Sequence, residues 1–245
     1  RPLFHAQVDG GLAFASEVKA LWADPVGAPP RVWDAGGLAE TFGWWSPRAP
    51  RTPFAGISQL PPGHLLRWNL AETGARPMTR RWWDWDFRPD PAAPRTLDEA
   101  AEALRPLLAD AVRLQLRADV PVGAYLSGGL DSSIITTLIH DQGDVALRSF
   151  SLGFEDAEFD EHEHQEALVR HLGSAHSGLR VSRADIAAAF ARAVRHAEAP
   201  LLRTAPVPMM LLADHVRASG FKVVLTGEGA DEVFAGYDLF REAQV

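Results

Sequence analysis

From Thr96 onward the sequence alternates helix-length and strand-length segments, and this alternation constrains the fold more than any other feature. Thr96 with Glu99 three residues later is a capping-box signal, opening a helix through Leu97, Leu104, Leu107, Leu108, Val112 and Leu116. A strand VGAYL (122–126), a Gly-rich turn and a helix from about Ser132 to His140 follow. Next come a strand RSFSLGF, a helix over about 160–172, a strand at 176–181 and a Ser182-capped helix carrying Ile186, Phe190 and Val194. A helix ending at Gly220 then feeds the strand KVVLT (222–226), and GEGADE follows directly. Strands and helices in this order predict an α/β domain, a doubly wound parallel sheet with right-handed crossovers. Such sheets bind ligands beyond the carboxyl ends of their strands. Two Gly-rich turns leave strand ends here, so both are expected to face one site.

The first part of the chain is built differently. All 8 tryptophans fall within the first 85 residues and 13 of the 18 prolines precede residue 95, which separates this block from the Ala/Leu/Val-rich remainder. RPDPAAPR reads as a stiff, extended linker, giving domains over 1–87 and 96–245 joined by 88–95. Within the first block, LFHAQV and LAFAS flank Asp9-Gly10-Gly11, a hairpin signal. A short helix at 17–23 and another beginning near Asp34 are expected. Pro61-Pro62-Gly63 turns the chain into HLLRWNL, which pairs with a strand at 80–85 across Ala71-Glu72-Thr73-Gly74. The tryptophans suit the core and sheet faces of such a domain.

Composition removes several function classes. The formal charge of −8 speaks against a general nucleic-acid-binding surface. No apolar run approaches the roughly eighteen residues of a membrane span, and no signal peptide opens the sequence. The chain has no cysteine, hence no disulfide framework, zinc-thiolate cluster or cysteine nucleophile within it. It begins at Arg1 with a strand-like segment and stops at Val245 without a terminal element, so it reads as a piece of a longer protein. His162, His164, His171 and His176 invite a metal reading. Residues two apart on a helix do not share a face, so packed or solvated histidines are expected instead.

The chemistry is concentrated in the two turns. In SGGLDSS, between a strand and a helix, Gly128 and Gly129 let backbone amides approach an anion. The hydroxyls of Ser127, Ser132 and Ser133 supply further donors, and the following helix N-terminus favours negative charge. This is a phosphate cradle without the lysine of the Gly-Lys-Ser/Thr nucleotide loop. Asp131 would repel a bare phosphate and makes sense with a divalent cation between them. In LTGEGADE, Gly227 and Gly229 again permit close approach, and Glu228, Asp231 and Glu232 gather three carboxylates that suit a metal or cationic partner. Taken singly, each turn is also compatible with a capped or solvated helix start.

SGGLDSS, SFSLGF and TGEGADE, in this order and spacing, resemble the synthetase domain of glutamine-dependent asparagine synthetases, in the PP-loop ATP pyrophosphatase superfamily. RPLFHAQVDGGLAFASEVKAL and LPPGHLLRW are similar to the end of that family's class II glutaminase domain. The resemblance implies a partial glutaminase α+β sandwich followed by an adenine nucleotide alpha hydrolase-like domain with a doubly wound parallel sheet. It places Ser127, Gly128, Gly129, Asp131, Ser132 and Ser133 at the pyrophosphate of ATP, and Asp131 and Asp231 at Mg2+. Tyr125, Leu126, Leu152, Thr226 and Gly227 would line the adenosine. Glu228 falls where the family has the acid tied to the aspartyl-adenylate and ammonia attack, and Arg203 where it has an arginine near the phosphates or the acidic substrate. The implied small-molecule partners are aspartate and glutamine or ammonia, with neither nucleic acid nor membrane; a homodimer and a cytoplasmic location are further expectations.

The chain also departs from the family's pattern. Class II glutaminases use an amino-terminal cysteine and further glutamine-binding segments, which would precede Arg1, and the synthetase domain continues past GYDLF with a late lysine. Three activities follow as alternatives: amidation of aspartate; an adenylating amide-bond former with another acceptor, like β-lactam synthetases or peptide-cyclising relatives; and a non-catalytic nucleotide-binding homologue. Glu228 favours ammonia chemistry, since β-lactam-forming relatives lack an acid there. Asp131, Asp231 and Glu228 together speak against a scaffold.

Overall fold

The structure, a computed structural model, describes residues 2–8, 11–24, 27–69, 71, 76–86, 88, 90–143, 147–155 and 162–242, with no side-chain description at 241. The chain divides into two compact units, one holding residues 1–89 and Ala191–Arg203, the other 90–190 and 204–245.

In the first unit, β1 (Phe4–Val8) and β2 (Gly11–Ala15) form the expected hairpin, antiparallel from Phe4↔Ala15 to Val8↔Gly11. The turn residues Asp9 and Gly10 lie outside the described residues. Ala6 faces inward against Val18 and Leu21 of α1 (Val18–Leu21) and against Phe54 and Ile57, which together make the core of this unit. α2 (Ala35–Trp44) begins at Asp34, whose carboxylate accepts from the Gly37 amide at 2.6 Å. The short β3 (Ser58–Gln59) then adds to the free edge of β1. β4 (His64–Arg67) pairs with β5 (Met78–Arg81) as an antiparallel ribbon, His64 opposite Arg81. The second strand of this ribbon therefore lies upstream of the expected 80–85, and Glu72, Thr73 and Gly74 of its connection lie outside the described residues.

The tryptophans correct the sequence reading. Trp22 packs on the core, but Trp33, Trp44, Trp45, Trp82, Trp83 and Trp85 are exposed, Trp44 by 80%. The physical reason is local. Trp82, Trp83 and Trp85 come after β5 has ended at Arg81, and Trp44 and Trp45 sit where α2 ends, so these five are carried by no strand.

Ala191–Arg203 belongs to this unit although it lies far along the chain. Glu198 explains why. Its carboxylate, only 8% exposed, accepts from the backbone amides of Val18 and Lys19 at 2.6 Å each and pairs with the Lys19 ammonium at 3.2 Å. Glu17, at the N-cap of α1, makes no side-chain cap of its own. A residue about 180 positions away caps the helix instead. Glu198 holds a left-handed backbone, φ 54°, to do so.

In the second unit, α3 (Leu97–Gln115) starts with the predicted capping box at Thr96 and Glu99. β6 (Val122–Tyr125), α4 (Leu130–Asp141), β7 (Arg148–Phe154), α5 (His162–Leu172), β8 (Ala175–Val181), α6 (Arg183–Ala197), α7 (Pro206–Ala218) and β9 (Val223–Leu225) follow in order. The short α8 (Ala230–Phe234) and α9 (Asp238–Glu242) come last, and neither was resolved as an element by periodicity. The four strands form one parallel sheet in the order β8-β7-β6-β9, so the chain runs outward from β6 to β8 and then crosses back to β9. Both faces are covered. Ala124 packs with Val112 of α3 and with Leu138 and Ile139 of α4, whereas Tyr125 and Phe150 pack with Leu212 and Val216 of α7. This is the doubly wound α/β architecture. Gly123 is needed for it, since a Cβ there would stand 2.9 Å from the Phe150 ring and 3.0 Å from the Arg148 carbonyl. Among the described residues no helix is long and apolar enough to cross a membrane.

The two caps differ in burial and should differ in cost. Thr96→Ala removes an exposed cap and is expected to cost about 1 kcal/mol. Glu198→Ala strips two charge-assisted hydrogen bonds from a buried helix start and is expected to cost about 2–3 kcal/mol. Urea unfolding of both variants checks the order; an equal or smaller loss for Glu198→Ala would refute it.

Candidate functional site

β6 ends at Tyr125, and the Leu126 amide makes one last ladder bond to the Phe150 carbonyl at 2.8 Å. The chain then turns through Ser127, Gly128 and Gly129 into α4. Gly128 has φ 97°, a conformation that excludes side chains, and Gly129 caps α4 without a side-chain hydrogen bond. The serines brace the turn from within. The Ser132 hydroxyl accepts from the Ser127 amide at 3.1 Å and lies 2.9 Å from the Ser127 hydroxyl. The hydroxyls of Ser132 and Ser133 both donate to the Gly129 carbonyl, at 3.2 and 2.7 Å.

The second turn leaves β9 at Thr226 and lies directly against the first. A Cβ on Gly227 would stand 2.8 Å from both the Asp131 Cβ and the Ser132 nitrogen, so the turns touch backbone to backbone. Gly229, with φ 91°, then starts α8 and carries Asp231 into place. Between the turns lies a cavity of about 270 Å3. Its wall includes Tyr125, Leu126, Ser127, Asp131, Ser132 and Leu152 of the predicted residues, together with Thr226, Gly227, Glu228 and Asp231. Gly128, Gly129 and Ser133 shape the first turn without lining the cavity. Arg203 does not line it either. It belongs to the unit formed by residues 1–89 and 191–203, where its guanidinium lies 4.4 Å from the centre of the Trp45 ring.

Several lining residues carried no motif signal. Met209 and Leu212 are apolar positions of α7, whereas Phe150 lies inside the SFSLGF segment without being one of the predicted site residues. Tyr237 reaches the cavity from beyond α8 and donates to the Glu232 carboxylate at 3.0 Å; that bond and the neighbouring acidic charges push its phenol up. Burial likewise raises the Tyr125 phenol. Ser151 lines the cavity and belongs to a polar chain across the sheet. His176 sets Nδ1 at 2.8 Å from the Ser149 hydroxyl and Nε2 at 3.0 Å from the Ser151 hydroxyl. Gln165, from α5, completes the wall on that side. Among the described residues no group of three or more His, Cys, Asp or Glu is placed to hold an ion. Asp131 and Asp231 remain as two carboxylates on one cavity, a set that suits Mg2+ shared with phosphate oxygens, as this ion is ordinarily held.

Comparison with known proteins gives the cavity a context. The asparagine synthase family matches residues 103–245, and the glutamine amidotransferase domain family matches residues 1–83. Amidase chyE of Penicillium rubens is 34% identical across 98% of this chain and 37% of its own length. Glutamine-hydrolyzing asparagine synthetase 3 of Bacillus subtilis is 31% identical across 100% of this chain and 41% of its own. The chain thus spans about two-fifths of the length of these relatives. A solved structure of an NH3-dependent NAD synthetase from Campylobacter jejuni superposes with a TM-score of 0.40 at 18% identity, covering 56% of this chain and 60% of that one.

The polar chain beside the cavity is expected to make stability pH-dependent. Burial, seconded by His162, holds the His176 imidazole below its ordinary 6.5, against a smaller opposing pull from Glu166. The unfolded chain therefore binds the proton first, and stability is full above the ordinary value and falls as pH drops through it. His176→Gln is expected to reduce the loss of stability between about pH 7 and about pH 5. Part of the slope should persist, because burial also lowers His5. Urea midpoints at the two pH values test this; an unchanged pH slope in the variant would show that His176 does not titrate in that range.

Proposed function

The chain belongs to the asparagine synthase family, and on that premise we propose that the protein forms an amide by adenylating a carboxylate with ATP and letting ammonia displace AMP. The observation that carries this reading is the contact at Gly227, which sets the phosphate-type turn and the carboxylates Glu228 and Asp231 on one cavity. The proposed acceptor is aspartate and the product asparagine, with glutamine as the source of ammonia in the whole protein. A carboxylate alone does not acylate ammonia, because oxide is too poor a leaving group. One oxygen of the aspartate side chain attacks the α-phosphorus of ATP, the bond to the β-phosphate oxygen breaks, and pyrophosphate leaves. Ammonia then attacks the acyl carbon of the β-aspartyl-adenylate, loses a proton, and the carbon–oxygen bond to AMP breaks.

The residues divide this work. In this reading the first turn and the start of α4 receive the polyphosphate, and the Ser127 and Gly129 amides, bonded to the Ser132 and Ser127 hydroxyls, keep the turn in shape. Tyr125, Leu126, Leu152, Thr226 and Gly227 form the wall for adenosine. Magnesium, held by Asp131 and Asp231, would neutralise the charge that develops on the departing pyrophosphate. Glu228 accepts the proton of the attacking ammonia. Arg203, which the resemblance sets near the phosphates or the acidic substrate, is proposed to contribute positive charge there.

A second reading changes only the acceptor. It is favoured by the likeness to a relative named an amidase, which is as high as that to the asparagine synthetases. Replacing aspartate with other carboxylic acids and following pyrophosphate separates the two.

Incubation with ATP, magnesium, ammonium and aspartate should yield AMP and pyrophosphate; ADP and orthophosphate would rule out adenylation. Excess EDTA should stop the reaction, and Asp131→Asn or Asp231→Asn should abolish turnover and weaken binding of magnesium-ATP. Glu228→Gln should keep ATP affinity and lower amide formation on the order of a hundredfold, with ammonium as donor. A normal rate in that variant would remove the proton-transfer role.

A further inference from the structure

α5 presents an anomaly. Glu163, His164 and Glu166 are exposed, and the one residue of the helix that is fully buried is Gln165, at 1% exposure. A helix that docks by packing buries an apolar side chain, because a buried amide must have its hydrogen bonds supplied. Gln165 is only half supplied. Its Nε2 donates to the Ser127 carbonyl at 2.9 Å and the Leu152 carbonyl at 3.4 Å, while its Oε1 has no partner among the described residues. The cost of that orphaned acceptor is tolerated where the two donated bonds matter more than packing.

What those bonds connect is specific. β6 and β7 pair at Ala124↔Ser149 and Tyr125↔Phe150, and the Leu126 amide makes the last bond across, to the Phe150 carbonyl. Beyond that point the strands part, and the opening becomes the cavity. The Ser127 and Leu152 carbonyls lie on its two sides: Ser127, just past the end of β6, opens the phosphate turn, and Leu152, within β7, belongs to the adenosine wall. The two hydrogens of one amide nitrogen bridge the gap that the ladder leaves.

We infer that Gln165 is a positioning residue of the nucleotide site, fixing the separation between the wall that receives the base and the turn that receives the phosphates. The inference rests on the nucleotide reading proposed above. It makes a distinction that packing does not. A ligand reaching both walls depends on their spacing, whereas a ligand touching only one does not, as with any two-point attachment. ATP and adenosine reach residues on both sides of the gap, Leu126 and Leu152, whereas pyrophosphate engages the turn alone.

The experiment is calorimetric titration of ATP, adenosine and pyrophosphate, each with magnesium, against the full chain and against Gln165→Met and Gln165→Glu. Methionine preserves length and volume but donates nothing. Gln165→Met should weaken ATP and adenosine on the order of tenfold, while pyrophosphate changes by less than about twofold. Gln165→Glu retains one donor only when its carboxyl is protonated, and burial favours that form. Its ATP affinity relative to the unmodified protein should therefore recover as pH falls from about 8 to about 6. Unchanged ATP affinity in Gln165→Met overturns the inference, as does a parallel loss of all three ligands, which marks a structural role. Should Gln165→Met fail to fold, the pH-dependent recovery of Gln165→Glu decides, its absence being fatal. No ATP binding by the unmodified protein would overturn the nucleotide reading and the inference with it.

Discussion

The site depends on one steric fact: the backbone of Gly227 lies against the backbone of Asp131 and Ser132 with no room for a β-carbon. The sheet register brings the two turns there. β6 and β9 pair through Ala124↔Leu225, so the chain leaves both strands at the same height and both turns begin side by side. Parallel pairing alone would leave a side chain's width between them. The glycine closes that width, and the carboxylates of Glu228 and Asp231 come to share a cavity with the amides of the first turn. Everything proposed about charge, metal and proton transfer presumes this closeness.

The same economy of size appears one layer back. Gly123 and Ala124 make β6 thin enough for Phe150 to reach across it on one side and for α3 and α4 to press on the other. The strand carrying the phosphate turn is thereby gripped from both faces. Polar side chains add to this grip along β7: Gln165 bonds the Ser127 and Leu152 carbonyls, and His176 lies between two buried serines.

What was legible in the sequence follows the range of the interactions involved. The Thr96 capping box spans three residues and was readable outright, as were the parallel strands, from their alternation with helix-length segments. The turns announced their glycines and carboxylates. The hydroxyls of Ser132 and Ser133 were harder to assign, because at a helix start the carbonyl three or four residues back is always within reach, and here both donate to Gly129. Gln165 had no local signal, since its partners lie 38 and 13 residues away. Glu198 is the extreme case, capping a helix from about 180 positions along the chain. The tryptophans misled because aromatic content reports what a sheet could bury, whereas Trp82, Trp83 and Trp85 follow the end of β5 and Trp44 and Trp45 sit at the end of α2.

That uneven aromatic distribution leaves the molecule optically partitioned. All 8 tryptophans lie in the unit containing residues 1–89, and the unit with the parallel sheet has none. The chain's 2 tyrosines, Tyr125 and Tyr237, both stand in the wall of the cavity. Indole emission therefore reports on one unit, and phenol absorbance on the cavity of the other. With Glu232 bonded to one phenol and burial raising the other, alkaline ionisation of two chromophores becomes an intrinsic gauge of that cavity, needing no label.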